Sequence, residues 1–237
     1  MMHRTYVYIV CSPHPRVGTT LTASLLTTYF QVTGRQAVGF DTNPYDGDLA
    51  RLHPQTTRIV DIAATRGQIE LFDSLVVADE KPKIVDLWHP AYRRFFAVAG
   101  EVGFLEEAGR VGVVPILLYH ADASQKALQA CHDLEALWPD VEIAIVSNEG
   151  AAPLDPAHPG HLSRFPAEHG FRIPPLSPEA LAAATDPDIP LKELLWDAPD
   201  DAPPPADGLI DWVEGIFAQF RAFELRHALQ ETRYLWG

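Results

Sequence analysis

A doubly wound α/β fold, with a mostly parallel sheet flanked by helices, follows from three features of this chain. Short apolar runs alternate with amphipathic helical stretches from the N-terminus to about Asn148. Hydrophobic residues make up 47% of the 237, ample for a sizeable core. The distinctive polar motifs fall where the apolar runs end, and open parallel sheets bind ligands at the carboxyl ends of their strands.

The elements follow in order. Val7 to Cys11 is β-branched and aromatic, as a buried strand requires, and Leu21 to Phe30 is helical, with Leu21, Leu25, Leu26, Tyr29 and Phe30 apolar. Gln36 to Phe40 predicts a short strand ending in Asp41. Asp61 to Ala64 and Gln68 to Val77 have helical character, with Leu71, Leu75 and Ala78 along one side. Lys83 to Asp86 is a third strand, and Tyr92 to Ala108 a helix broken near Gly100–Gly103. Val113 to Tyr119 is the most hydrophobic strand. Ser124 then caps a helix to Trp138 whose Leu128, Leu134 and Leu137 face the core. Val141 to Val146 is another strand, Phe171 to Ile173 an edge strand, and Ser177 starts a short helix through Ala184.

Three segments emerge: an α/β domain over residues 1–196, a stiff acidic Pro-rich linker over 197–207, and a long helix over 208–237. Trp212, Ile216, Phe217, Phe220 and Phe223 occupy more of that helix than one core-facing stripe needs, which predicts a free apolar face for a partner or a second copy.

Between the first strand and its helix lies Ser12-Pro13-His14-Pro15-Arg16-Val17-Gly18-Thr19-Thr20. Strand, loop and helix N-terminus form the frame in which backbone N–H groups and the helix dipole meet a phosphate. The usual pattern G-x-x-x-x-G-K-[ST] is only half present. Gly18 and Thr20 fit, but Pro13 stands for the first glycine and Thr19 for the lysine.

Taken together, the motifs resemble the ParA/MinD family of deviant-Walker P-loop ATPases, which position plasmids, chromosomes, septa and other cargo. The resemblance covers roughly residues 5–195. The family loop K-G-G-x-G-K-T-T aligns with His14-Pro15-Arg16-Val17-Gly18-Thr19-Thr20-Leu21, and D-x-D-P-x-G-N with the segment from Asp41 through Asn43 and Pro44 to Asp48. Asp86 with Pro90 matches the end of the family's third strand, Ser147-Asn148 its later Asn, and Ile173-Pro174-Pro175-Leu176 its I-P-x-x segment. The resemblance implies a phosphate site at His14, Arg16, Val17, Gly18, Thr19 and Thr20, with Asn148 and Pro174 near the base. For Asn148 a simple turn role is the alternative. ATP or ADP would be the cofactor, with Mg²⁺ on Thr20, Asp41 and Asp86, and Asp41 and Asn43 at the water-orienting and switch positions.

The departures point away from hydrolysis. The family's two loop lysines are Thr19 and His14 here, and phosphoryl transfer depends heavily on such cations. Pro13 and Pro15 have no N–H to donate. Asn43 stands where the family has a carboxylate, and an amide does not accept a proton from water. Two functions remain: a degenerate, catalytically silent module that binds or scaffolds, or a working ATPase in which Arg16 or another residue replaces the lysines.

Charge narrows the partners. The net −14 is split unevenly, with 12 Lys/Arg against 13 Asp/Glu in residues 1–126 and 6 against 19 in 127–237. That balance opposes non-specific binding to nucleic acid or an anionic membrane. The absence of an N-terminal apolar leader predicts a cytoplasmic protein. Cys11 and Cys131 lack metal-site spacing, as do His158, His161 and His169. A protein partner, or a second copy, is the expected company.

Overall fold

The computed structural model describes residues 4–122, 124–151, 170–199, 202 and 204–236, the last seven without side-chain detail. His158, His161 and His169 lie outside them, as do Asp200, Asp201 and Pro203 of the acidic stretch. Seven parallel strands form one sheet in the order β3-β2-β4-β1-β5-β6-β7. They are β1 (Thr5–Cys11), β2 (Val38–Asp41), β3 (Thr57–Ile59), β4 (Lys83–Asp86), β5 (Val113–His120), β6 (Glu142–Asn148) and β7 (Phe171–Ile173). The helices are α1 (Thr19–Val32), α2 (Asp48–Leu52), α3 (Thr65–Leu75), α4 (Tyr92–Glu101), α5 (Phe104–Val111), α6 (Gln125–Leu137), α7 (Pro178–Ala184), α8 (Leu191–Trp196) and α9 (Leu209–Trp236). The architecture is the doubly wound sheet expected, and it is consistent with a P-loop NTPase-like fold.

Strand alternation divides the core in two. Val7, Ile9 and Cys11 face α3, α4, α5 and α6, in a layer that includes Phe72, Phe95, Phe104 and Trp138. Tyr8 and Val10 face the other way, toward α1, α7, α8 and α9. β1 is central and buried on both faces, which is why its apolar run shows no polar alternation.

Several elements differ from expectation, each for a local reason. Asp61 to Ala64 is a turn: the Asp61 carboxylate accepts the Ala63 N–H at 2.9 Å, and α3 starts only at Thr65. That helix ends at Leu75, so Ala78 lies beyond it. The break near Gly100–Gly103 is real, with Gly103 at φ 65° starting α5. Ser124 caps α6 as expected, accepting the Ala127 N–H at 3.1 Å, but Leu137 is 53% exposed rather than in the core. The short elements α2, β3 and α8 have no counterpart in the expected sequence pattern.

The largest correction concerns α9. Its Val213, Ile216, Phe217, Phe220 and Phe223 are all buried in the chain's own core, and Trp212 packs against it. Tyr29 of α1 meets Phe217 and Phe220 edge-on at 5.4 and 5.6 Å, Phe171 of β7 meets Phe220 and Phe223, and Trp196 of α8 stacks on Phe217. Among the described side chains, one stripe therefore covers α1 and the other covers β7 and α8, and the aromatic residues from Trp212 to Phe223 leave no free face. Polar groups fix the register: Glu224 accepts from the Tyr29 hydroxyl at 2.7 Å, and its two carboxylate oxygens accept from one terminal nitrogen of Arg35 at 2.6 and 2.7 Å.

Removing α9 should therefore unfold the domain rather than merely change its mass distribution. Phe220→Ala should cost about 3–5 kcal/mol in chemical denaturation, whereas Leu225→Ala, at an exposed position on the same helix, should cost less than about 0.5 kcal/mol.

Candidate functional site

A cleft of about 580 Å³ opens at the carboxyl ends of the strands. Its walls bring together His14, Arg16, Gly18, Thr19, Thr20, Asp41, Asn43, Asp86, Asn148 and Pro174, so ten of the eleven candidate residues share one space. The eleventh, Val17, is buried behind the wall and acts through its backbone.

The loop from Ser12 to Gly18 is held by four ties. The Ser12 hydroxyl accepts the His14 N–H at 3.3 Å. His14 Nδ1–H donates to Asp122 at 2.6 Å, just past the end of β5. The Val17 carbonyl accepts two hydrogen bonds, from His120 Nδ1 at 3.0 Å and from the Asn148 side-chain amide at 3.2 Å. A carbonyl has no proton to give, so His120 must be the Nδ1–H tautomer. Burial holds that imidazole down to about 4, outweighing the bond to Val17. Burial raises the Asp122 carboxyl, but hydrogen bonds from Ser124 and His14 outweigh it and leave the group below its usual range.

Two backbone conformations shape the loop. Gly18 sits at φ 95°, and a Cβ there would come within 2.1 Å of the Asn148 amide nitrogen. Arg16, with φ 60°, takes a left-handed conformation at a non-glycine position. Among the described residues, the N–H groups of Arg16, Val17 and Gly18 meet no backbone acceptor. The N–H groups that begin α1 also lack intrahelical acceptors, and such groups are donors an anion can use.

Asn148 is fully engaged: its nitrogen donates to Val17 and its oxygen accepts the Gly150 N–H at 3.2 Å. It braces the loop against β6. Asn43 likewise forms a turn, its side-chain oxygen accepting from the Tyr45 and Asp46 N–H groups at 3.1 and 3.4 Å.

Asp41 and Asp86 are paired across β2 and β4. The Asp41 carboxylate accepts from the backbone of Asn43 at 2.9 Å, Leu49 at 2.8 Å and Ala50 at 3.2 Å, so it builds the turn into α2. Burial raises its affinity for a proton although these three donors oppose it. Asp86 is pushed up to about 7, first by burial and then by the neighbouring Asp41, against hydrogen bonds from the Thr20 and Thr19 hydroxyls. No lysine lines the cleft: Lys83, the buried one, binds the Val77 carbonyl and Asp79 at the opposite end of β4. Arg16 is exposed and pairs with no described carboxylate.

The donor set suits a hard divalent cation in part. Thr20 and Asp86 offer adjacent oxygens, but among the described residues no three acidic, His or Cys side chains gather at a metal-binding distance. Mg²⁺ held through one or two protein groups would take its other ligands from phosphates and water. Asp41, committed to three N–H groups, is poorly placed to be among them.

Among the wall residues that the sequence reading did not place at the site are Trp88, Leu181 and Trp212. Trp212 comes from α9, and its indole N–H donates to the Pro174 carbonyl at 2.8 Å. No local motif announces it. His120 and Asp122 were also missed, although polar residues directly after the most hydrophobic strand were a usable signal.

The Asp86 shift carries a sign. A folded value near 7 against an ordinary 3.8 means stability that is full below 3.8 and lost as pH rises through 7. Asp86→Asn should therefore raise the thermal midpoint at pH 8 by roughly 5 °C, with the gap closing toward pH 4. His53 and His120, both lowered from 6.5 to about 4, act the other way and lose stability as pH falls between those values. In Asp86→Asn, calorimetric scans should show the midpoint dropping from pH 7 to pH 4. No protein-family model matches this chain, and no curated protein matches it.

Proposed function

We propose that this chain is a degenerate ParA/MinD-like protein, a binding or positioning/scaffolding module that keeps a nucleotide-type cleft but has little or no ATP hydrolysis. One observation supports the reading: the loop between β1 and α1, with Arg16 and Gly18 at positive φ, opens on a cleft that no described lysine lines. Phosphoryl transfer needs developing charge to be met by preorganised cations, and such groups supply several kcal/mol. Among the described lining residues Arg16 is the one Lys or Arg, and its exposed side chain is not fixed by any described carboxylate.

The nucleophile side supports the same reading. A general base or water-orienting carboxylate has to face the reaction, whereas Asn43 is an amide turned into its own loop. His14, at the position of the family's signature lysine, is tied to Asp122 and so engaged within its own subunit. A nucleotide-bridged dimer of the family's kind would lack that cation. Where Mg²⁺ binds, it would supply charge neutralisation at the phosphates, with Thr20 and Asp86 holding it.

On this reading the chain works through a protein partner or a second copy, in the cytoplasm. Among the described residues no helix is long and apolar enough to cross a membrane. The acidic balance of −14 argues against non-specific nucleic-acid binding.

Phosphate release from ATP tests the reading. The wild-type chain should turn over at or near background with Mg²⁺ present, and Thr19→Lys with Asn43→Asp should give measurable release. Robust wild-type turnover that disappears in Arg16→Ala would establish the alternative, an active ATPase with an unorthodox loop.

A further inference from the structure

Sheet order gives the cleft a polarity. β4 and β2 lie on one side of β1, and β5, β6 and β7 on the other. Asp41 and Asp86 end β2 and β4, and Asp46 and Asp48 follow in the β2–α2 connection. Ile173, Pro174 and Trp212 make the wall beyond β6. The loop after β1 sits between, with Gly18 against Asn148 on one flank and Thr19 and Thr20 beside Asp86 on the other.

A nucleotide has its own polarity. A nucleotide with its base against the apolar wall would direct its first phosphoryl group toward the loop between the two flanks. Each further phosphoryl group then extends toward the carboxylates. Asp48 has a partner there, Arg51 at 3.1 Å, but Asp41, Asp46 and Asp86 have no cationic partner among the described residues. Successive negative charges would be stacked against like charges in a partly closed space, where Coulomb repulsion is several times stronger than in water.

We propose, resting on the nucleotide reading above, that the cleft selects for low ligand charge and takes nucleoside monophosphates in preference to triphosphates unless a divalent cation bridges phosphate and carboxylate. The loop's backbone N–H groups are sufficient for one phosphoryl group because such donors bind an anion without a side-chain charge. For a triphosphate tail the same N–H groups must serve several phosphoryl groups, and among the described lining residues Arg16 is the one Lys or Arg side chain.

Isothermal calorimetry on the full chain at pH 8, in excess chelator, tests this with AMP, ADP, ATP, GMP, GDP and GTP. The monophosphate of the preferred base should bind at least about tenfold more tightly than its triphosphate. Mg²⁺ should narrow that gap. Asp46→Asn, at an exposed position, should narrow it without any metal, and Thr19→Lys should invert the order. Triphosphate binding as tight as monophosphate in chelator overturns charge selection and leaves the nucleotide reading standing. No binding by any of the six overturns both. An unchanged gap in Asp46→Asn together with an unchanged order in Thr19→Lys would show that the carboxylates and the missing lysine do not set the preference, and would overturn the proposal.

Discussion

The Val17 carbonyl accepts hydrogen bonds from the ends of two different strands, and the geometry of the cleft depends on it. His120 closes β5 and Asn148 closes β6, so one backbone oxygen fixes the loop after β1 to both neighbours on that side of the sheet. The requirement propagates. Gly18 must lie flat against the Asn148 amide, because a side chain there would collide with it. His120 must stay neutral, since a second ring proton would be buried with no described acceptor. The start of α1 is thereby placed, and with it the helix against which α9 packs.

Shape and charge have separate origins in this site. The loop's path is set by backbone dihedrals and by ties at Ser12, Asp122, His120 and Asn148, none of which needs a lysine. The field inside the cleft is set by side chains, and here those are mainly carboxylates. The loop can therefore keep its path whatever charge the cleft's side chains carry. Asp86, buried beside Asp41, holds its proton near neutrality.

The sheet was legible because β1, β4, β5 and β6 are dense apolar runs with polar residues at their carboxyl ends, and β7 is a short apolar pair around Arg172. Elements held mainly by distant partners were not. α2 has five residues and depends on the Asp41 carboxylate, while β3 leaves two of its three residues exposed. The second stripe of α9 looked surplus because its partners, Trp196 and Phe171, sit in segments with little pattern of their own. In the site, loop and strand-end residues announced themselves by type and position. Trp212 did not, since its place in the cleft comes from helix packing.

Trp212 makes the cleft a product of tertiary closure rather than of any contiguous unit of chain. The loop end of the cleft is assembled from β1, β2, β4 and α1, but the opposite wall is incomplete until α9 has settled on α1 and β7. Occupancy of the cleft and the docking of α9 are then thermodynamically linked: whatever binds between loop and indole deepens the free-energy well that keeps the helix in place. A ligand too small to touch the indole would bind the same loop and leave the helix's opening equilibrium where it was.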